Sequence, residues 1–291
     1  MNVEKEKIQK VENVTTPCNP PAAVANAFCG IGKNKADLSW IKMIILGILA
    51  GVYIGFGAQL ATMVTYDSAN FVGGGISKVL FGSVFSVGLM LVVIAGAELF
   101  TGNNLIVVGT LNGNVSTGKL LNSWVWIYVA NFIGSILLVW IMYETQLWKT
   151  GNLAVGAKAL AIANGKVNLS WGAALARGIV CNWLVCLAVW LAVAAKDVTG
   201  KILAIYFPIM AFVASGFEHS VANMYFVPMG IMLKGNTAVA EAAGLTDKLA
   251  NLNWGGFILN NLIPVTIGNI IGGAFFVAAV YWFVYLKDKK N

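Results

Sequence analysis

One histidine occurs in the chain, His219, directly after Glu218 in an otherwise apolar stretch. Imidazole titrates near neutral pH, at about 6.5 when unperturbed. Ionisable groups deep in an apolar run are costly and mark functional pathways by default, so His219 reads as a proton donor or acceptor inside a pore. Asn223 lies five residues after Glu218, and the same Glu-x4-Asn spacing recurs at Glu98 and Asn103. Two such carboxylates could work as an acid/base pair. Their matching places suggest a plainer, break-stabilising task, in which each carboxylate ties down amides of interrupted backbone and Asn103 and Asn223 assist. Between Glu98 and Asn103 stand Thr101 and Gly102. Gly102 permits unusual backbone, and the Thr101 hydroxyl caps a half-helix, contacts substrate, or does both.

Asn182, Asn223, Asn261 and Asn269 also lie within apolar runs, where an amide needs a partner. Interhelical hydrogen bonding is the default, with one or two orienting the His219 ring; Asn182 and Asn269 are placed on the substrate pathway. Lys166 is either a snorkelling interfacial lysine or a lure for anions at a vestibule. Arg177 snorkels or pairs at a subunit contact. The cysteines Cys18, Cys29, Cys181 and Cys186 match no zinc or haem spacing, so neither metal nor cofactor is expected.

The elements that position these residues follow from composition. Of 291 residues, 58% are hydrophobic and 11% charged, against about 25% charged in a soluble domain. This is the composition of a membrane protein. It excludes a disordered chain, a coiled coil and a disulfide scaffold. The net charge of +7 is not a nucleic-acid signal, because the lysines sit at the tails and between apolar runs.

Residues 1–39 lack a signal-peptide core and read as a cytoplasmic N-terminal segment, with a short interfacial helix able to start at Ala22 to Phe28. Residues 40–287 read as a six-helix transmembrane domain and residues 288–291 as a cytoplasmic tail. Charge-free runs mark the spans: 43–66, 79–97, 99–118, 120–143, 178–195, 202–217, 220–233 and 249–286. Two pairs are separated only by Glu98 and by Glu218 with His219. Joining each pair as one interrupted span predicts six transmembrane helices, the second and fifth broken. Lysines 5, 7, 10, 33, 35, 119, 196, 201, 287, 289 and 290 then share the side of the termini, against lysines 78, 149, 158, 166, 234 and 248. This bias puts both termini in the cytoplasm, and the membrane is expected to be the plasma membrane.

The halves also repeat. Ala50-Gly51-Val52 matches Arg177-Gly178-Ile179, Glu98-x4-Asn103 matches Glu218-x4-Asn223, and Asn131-x-x-Gly134 matches Asn269-x-x-Gly272. Three spans per half require opposite insertion, giving an inverted 3+3 repeat whose broken helices face each other near the midplane. Exposed backbone in hydrocarbon costs several kcal/mol per group unless it lines a cavity or is buried. The breaks therefore face a pore.

Taken together, the segments Glu98-Leu99-Phe100-Thr101-Gly102-Asn103, Arg177-Gly178-Ile179-Val180-Cys181-Asn182, Gly216-Phe217-Glu218-His219-Ser220-Val221-Ala222-Asn223-Met224 and Asn261-Leu262-Ile263-Pro264-Val265-Thr266-Ile267-Gly268-Asn269 resemble the formate/nitrite transporter family over roughly Leu38 to Leu286. The resemblance implies an aquaporin-like all-α protomer within a homopentamer in membrane lipid, each protomer with its own pore for formate, nitrite or hydrosulfide. It carries the central histidine to His219, the constrictions to Phe85, Leu99, Phe100 and Phe212, the loop threonine to Thr101 and the vestibule lysine to Lys166. Arg177 and the segment between the third and fourth spans are less typical of the family.

A bare anion between apolar walls costs about 20 kcal/mol in the idealised limit, and several after relaxation. Lys166 is thus expected to concentrate the anion, which gains a proton directly or through His219 and passes as a neutral acid or paired with imidazolium. Formate is the first candidate, with nitrite, hydrosulfide and lactate close behind. Two other classes stay open: a neutral-solute facilitator of aquaporin type, against which the breaks carry glutamates, and a membrane-embedded enzyme, for which one histidine and no ligand cluster offer little.

Overall fold

The computed structural model describes residues 18–290, so the lysines at 5, 7 and 10 and the first part of the N-terminal segment lie outside the described residues. Helices dominate. Among the described residues, extended pairing is limited to one bridge between Cys18 and Ala195.

In chain order the helices are α1 (Pro21–Ala36), α2 (Trp40–Thr65), α3 (Ala69–Gly96), α4 (Gly102–Leu111), α5 (Thr117–Glu144), α6 (Ala154–Val167), α7 (Trp171–Ala194), α8 (Val198–Ala214), α9 (Ser220–Leu233), α10 (Thr237–Ala242) and α11 (Trp254–Tyr285). Five of them, α2, α3, α5, α7 and α11, are long and apolar enough to cross a membrane. The shorter apolar helices α4, α8 and α9 follow or flank the two interruptions. The chain is a multi-pass membrane protein. Large apolar side chains such as Phe56, Val125, Ile133, Trp140, Phe207 and Phe283 point outward, as lipid-facing surfaces require.

Several helices start beyond the charge-free runs. Lys42 lies in α2, Lys78 in α3 and Arg177 in α7, because a long basic side chain can snorkel from a helix end. Side-chain caps define other starts: Ser116 Oγ accepts from the Lys119 amide at 3.3 Å, and Ser170 Oγ from the Ala173 amide at 3.3 Å.

Helix α1 is docked rather than merely interfacial. The Asn19 amide donates to the Ala194 carbonyl at 2.8 Å, and Phe28 stacks on Trp190 with ring centroids 4.9 Å apart. At its end Asp37 pairs with Lys119, whose hydrogen bond holds the carboxyl below the ordinary aspartate range.

Glycines let the helices approach backbone to backbone. A Cβ on Gly134 would lie 2.0 Å from the Ile48 carbonyl oxygen, and one on Gly272 would lie 2.1 Å from that of Ile179. Ile48 and Ile179 are therefore repeat mates. The register predicted from sequence, Gly51 with Gly178, is one helical turn off. The structure matches Gly47 with Gly178, because the carbonyls of these two glycines accept the equivalent asparagine amides described next.

Candidate permeation site

Each interruption begins at a glycine with a left-handed backbone, Gly96 (φ 91°) and Gly216 (φ 75°), a conformation that costs a residue with a Cβ. After Gly96 the chain is extended at Ala97 (φ −151°, ψ 166°) before turning back into helix at Gly102. The freed backbone is bracketed by one asparagine per half. Asn131 Oδ1 accepts from the Phe100 amide at 2.9 Å while Nδ2 donates to the carbonyls of Gly47 (2.8 Å) and Glu98 (2.9 Å). Asn269 Oδ1 accepts from the Ser220 amide at 2.9 Å while Nδ2 donates to Gly178 (2.8 Å) and Glu218 (3.0 Å). The amides are thus held by Asn131 and Asn269, whereas the carboxylates of Glu98 and Glu218 were expected to hold them.

The carboxylates instead receive cations. Lys35 Nζ donates to Glu98 Oε1 at 2.7 Å, and Asn103 Nδ2 donates to Oε2 at 2.9 Å. In the other half Lys166 Nζ donates to both Glu218 oxygens at 2.9 and 3.1 Å, with Asn223 Nδ2 at 2.7 Å and Asn261 Nδ2 at 3.2 Å from Oε2. Lys166 also lies 5.5 Å from the centroid of the Phe226 ring. An acceptor-only group this buried needs a charged partner more than it needs an amide. Lys35 and Lys166 come from α1 and α6, so the repeat extends back to a short helix before each half. From sequence Lys35 counted only among the lysines on the side of the termini, with no partner assigned.

Between these two clusters sits His219, 3% exposed. Its Nδ1 accepts from the Ala222 amide at 3.0 Å, capping α9, and its Nε2 lies 2.9 Å from Thr101 Oγ1. A ring that accepts at Nδ1 carries its proton on Nε2 when neutral, so by this pattern His219 donates to Thr101. The threonine hydroxyl does not cap α4; its hydrogen is left to be offered elsewhere. The Thr101 carbonyl is held by Asn104 Nδ2 at 3.1 Å, Asn182 Nδ2 at 3.2 Å and Cys186 Sγ at 3.4 Å. Phe212 stacks 6.0 Å from the His219 ring and meets Phe85 edge-on at 6.0 Å.

Two cavities approach this centre without a common lining residue. One, about 340 Å³, is lined among others by Lys35, Glu98, Leu99, Leu89 and Val189. The other, about 190 Å³, is lined among others by Lys166, Glu218, Phe85, Phe212 and His219. Leu89, Leu99, Phe85 and Phe212 are each at most 3% exposed, so the way between is shut by apolar side chains. Leu89 and Val189, missed in the sequence, close the first cavity alongside Leu99. Their signal was no more than apolar side chains among many.

Phe100 lines neither cavity. Its ring packs edge-on against Tyr128 at 4.8 Å and Trp124 at 6.0 Å, because its amide is turned onto Asn131 of α5. Phe100, expected at a constriction, here packs against α5 and borders neither cavity. Asn182 and Asn269 line neither cavity as well: Asn182 Nδ2 holds the Thr101 and Asn269 carbonyls, and neither amide reaches His219. They position backbone around the pathway. Arg177 contributes its carbonyl, which accepts from the Glu218 amide at 3.2 Å.

The sequence profile described as "Formate/nitrite transporter" matches residues 22–283. The chain belongs to the formate/nitrite transporter family. It is 46% identical over 283 residues to a probable formate transporter of Methanothermobacter thermautotrophicus, covering 92% of this chain and 97% of that one. It is 38% identical over 277 residues to the formate channel FocA of Escherichia coli strain K12, covering 93% and 96%. Among solved structures it is similar to a pentameric formate channel with formate bound, at a TM-score of 0.78 and 42% identity over 85% of this chain and 98% of that chain. Membership in a transporter family decides among the three function classes that the residues alone left open, and it favours neither an enzyme nor a neutral-solute facilitator.

Proposed function

We propose that this protein passes formate across the plasma membrane as its neutral acid, through one pore in each protomer of a homopentamer. The observation that carries the reading is the His219–Thr101 pair at a cavity it shares with Lys166, separate from the apolar-walled cavity of Lys35, with a lysine–glutamate–asparagine cluster in each half. An ion among the apolar side chains that separate the cavities faces several kcal/mol of desolvation; a protonated acid does not. Lys166 and Lys35 hold the anion at either mouth until it gains a proton, and the hydrogen of Thr101 meets an acid oxygen at the centre. Protonating His219 at Nδ1 would break its bond with the Ala222 amide, so passage beside a neutral ring is favoured over pairing with imidazolium. The six-crossing inverted repeat, with both termini cytoplasmic, is supported by the repeated hydrogen bonding and the lysine bias.

The test is formate uptake into proteoliposomes carrying a lumenal pH indicator. Uptake acidifies the lumen by one proton per formate, and Thr101→Val slows it by at least about tenfold, the order expected when a buried donor loses its partner. A formate-driven current without acidification would overturn the mechanism. Running nitrite, hydrosulfide and lactate in the same assay ranks the competing substrates.

A further inference from the structure

Beyond the His219 cavity lies a third and smaller one, about 160 Å³, walled by Ser77, Lys78, Phe81, Lys158, Ile162 and Val213. Phe81, Ile162 and Val213 also wall the His219 cavity, so the two adjoin. The lysines come from different elements. Lys78 is on α3, one turn before Phe81 and two before Phe85; Lys158 is on α6, with Ile162 and Lys166 following at intervals of four, which places all three on one helix face.

The charges here are unbalanced. None of the six lining residues is acidic, and the ion pairs among the described residues leave Lys78 and Lys158 without a carboxylate. Lys166, by contrast, is held by both oxygens of Glu218, which offsets its charge. The uncompensated cations at this mouth are therefore the outer two. Burial also pulls the half-buried Lys158 ammonium below the ordinary lysine range, a cost that a neighbouring anion relieves. Lys78 is exposed.

We propose that Lys78 and Lys158 form an outer staging site for a small carboxylate, one step before Lys166, which captures the anion and hands it past Phe81 and Ile162 into the His219 cavity. This rests on the reading of the protein as a pathway for weak acids. It assigns capture to the outer pair and leaves Lys166 to hold the anion next to the closure.

The test is formate uptake into proteoliposomes as a function of formate concentration and ionic strength. For the wild type, uptake at limiting formate falls as salt rises, since exposed charges are screened over about 10 Å at 0.1 M. The double substitution Lys78→Gln with Lys158→Gln raises the KM for formate about tenfold, the lower end of what electrostatic capture contributes, and flattens the salt dependence. Lys78→Arg with Lys158→Arg keeps both at wild-type values, which separates lost charge from damaged packing. An unchanged KM and salt dependence in the glutamine pair, or equal loss in the arginine pair, overturns the staging site while formate uptake itself still stands. Wild-type protein that takes up no formate overturns the anion pathway and this site with it.

Discussion

Replacing Lys166 by Met tests whether the glutamates at the two breaks depend on their lysines. The Lys166 and Glu218 side chains are 14% and 5% exposed, whereas Lys35 and Glu98 are 29% and 10% exposed. Removing one partner of a buried pair leaves an uncompensated charge, at a cost of about 3–5 kcal/mol. Glu218 keeps the donors Asn223 and Asn261, which puts Lys166→Met at the lower end, about 3 kcal/mol. The pair at Lys35 is closer to solvent, so Lys35→Met costs about 1–2 kcal/mol, between the exposed and buried cases. In a chain of this size that is a fall in Tm of about 6–12 °C for Lys166→Met and about 2–8 °C for Lys35→Met. Adding Glu218→Gln to Lys166→Met removes the stranded charge and restores most of the loss. Thermal unfolding of the detergent-solubilised protein measures all three. Equal shifts for the two lysines, or a double variant less stable than Lys166→Met alone, would refute the assignment of the glutamates as partners of the lysines.

Two further outcomes follow from the packing. Gly134→Ala and Gly272→Ala each force a Cβ to about the 2 Å approaches noted above, against backbone that cannot rotate away; each should cost about 3 kcal/mol or more, visible as loss of a monodisperse assembly in size-exclusion chromatography. Leu89→Ala should raise formate flux per protein by opening the closure, while Phe100→Ala, which lines neither cavity, should lower stability by about 3–5 kcal/mol with flux per folded protein unchanged, checked by uptake normalised to folded protein.

Much of the site was legible in the residues. His219, Glu98 and Glu218 stood out because charge is rare in this composition, and the Glu-x4-Asn repeat located both breaks within a few residues. Lys35 was not legible: its helix is mildly polar and precedes the first span, and its role appears only when α1 folds back along the ends of α4 and α7. Thr101 was ambiguous between cap and contact until its hydroxyl was found on His219 rather than on the backbone of α4.

The sequence by itself determined that the chain spans a membrane, where its apolar runs are interrupted, that its halves repeat, and that its one imidazole lies beside an interruption. These are matters of composition and order along the chain, since hydrocarbon tolerates polar groups only where they are used. Tertiary structure alone decided which atoms meet. A one-turn difference in register pairs Gly47 with Gly178, the asparagines take the amides, the lysines take the carboxylates, and Phe100 packs on Tyr128 and Trp124 while Leu89 and Val189 line the cavity of Lys35 and Glu98. Spacing along a helix restricts which face a side chain occupies, but what lies opposite that face is set by packing between elements distant in sequence.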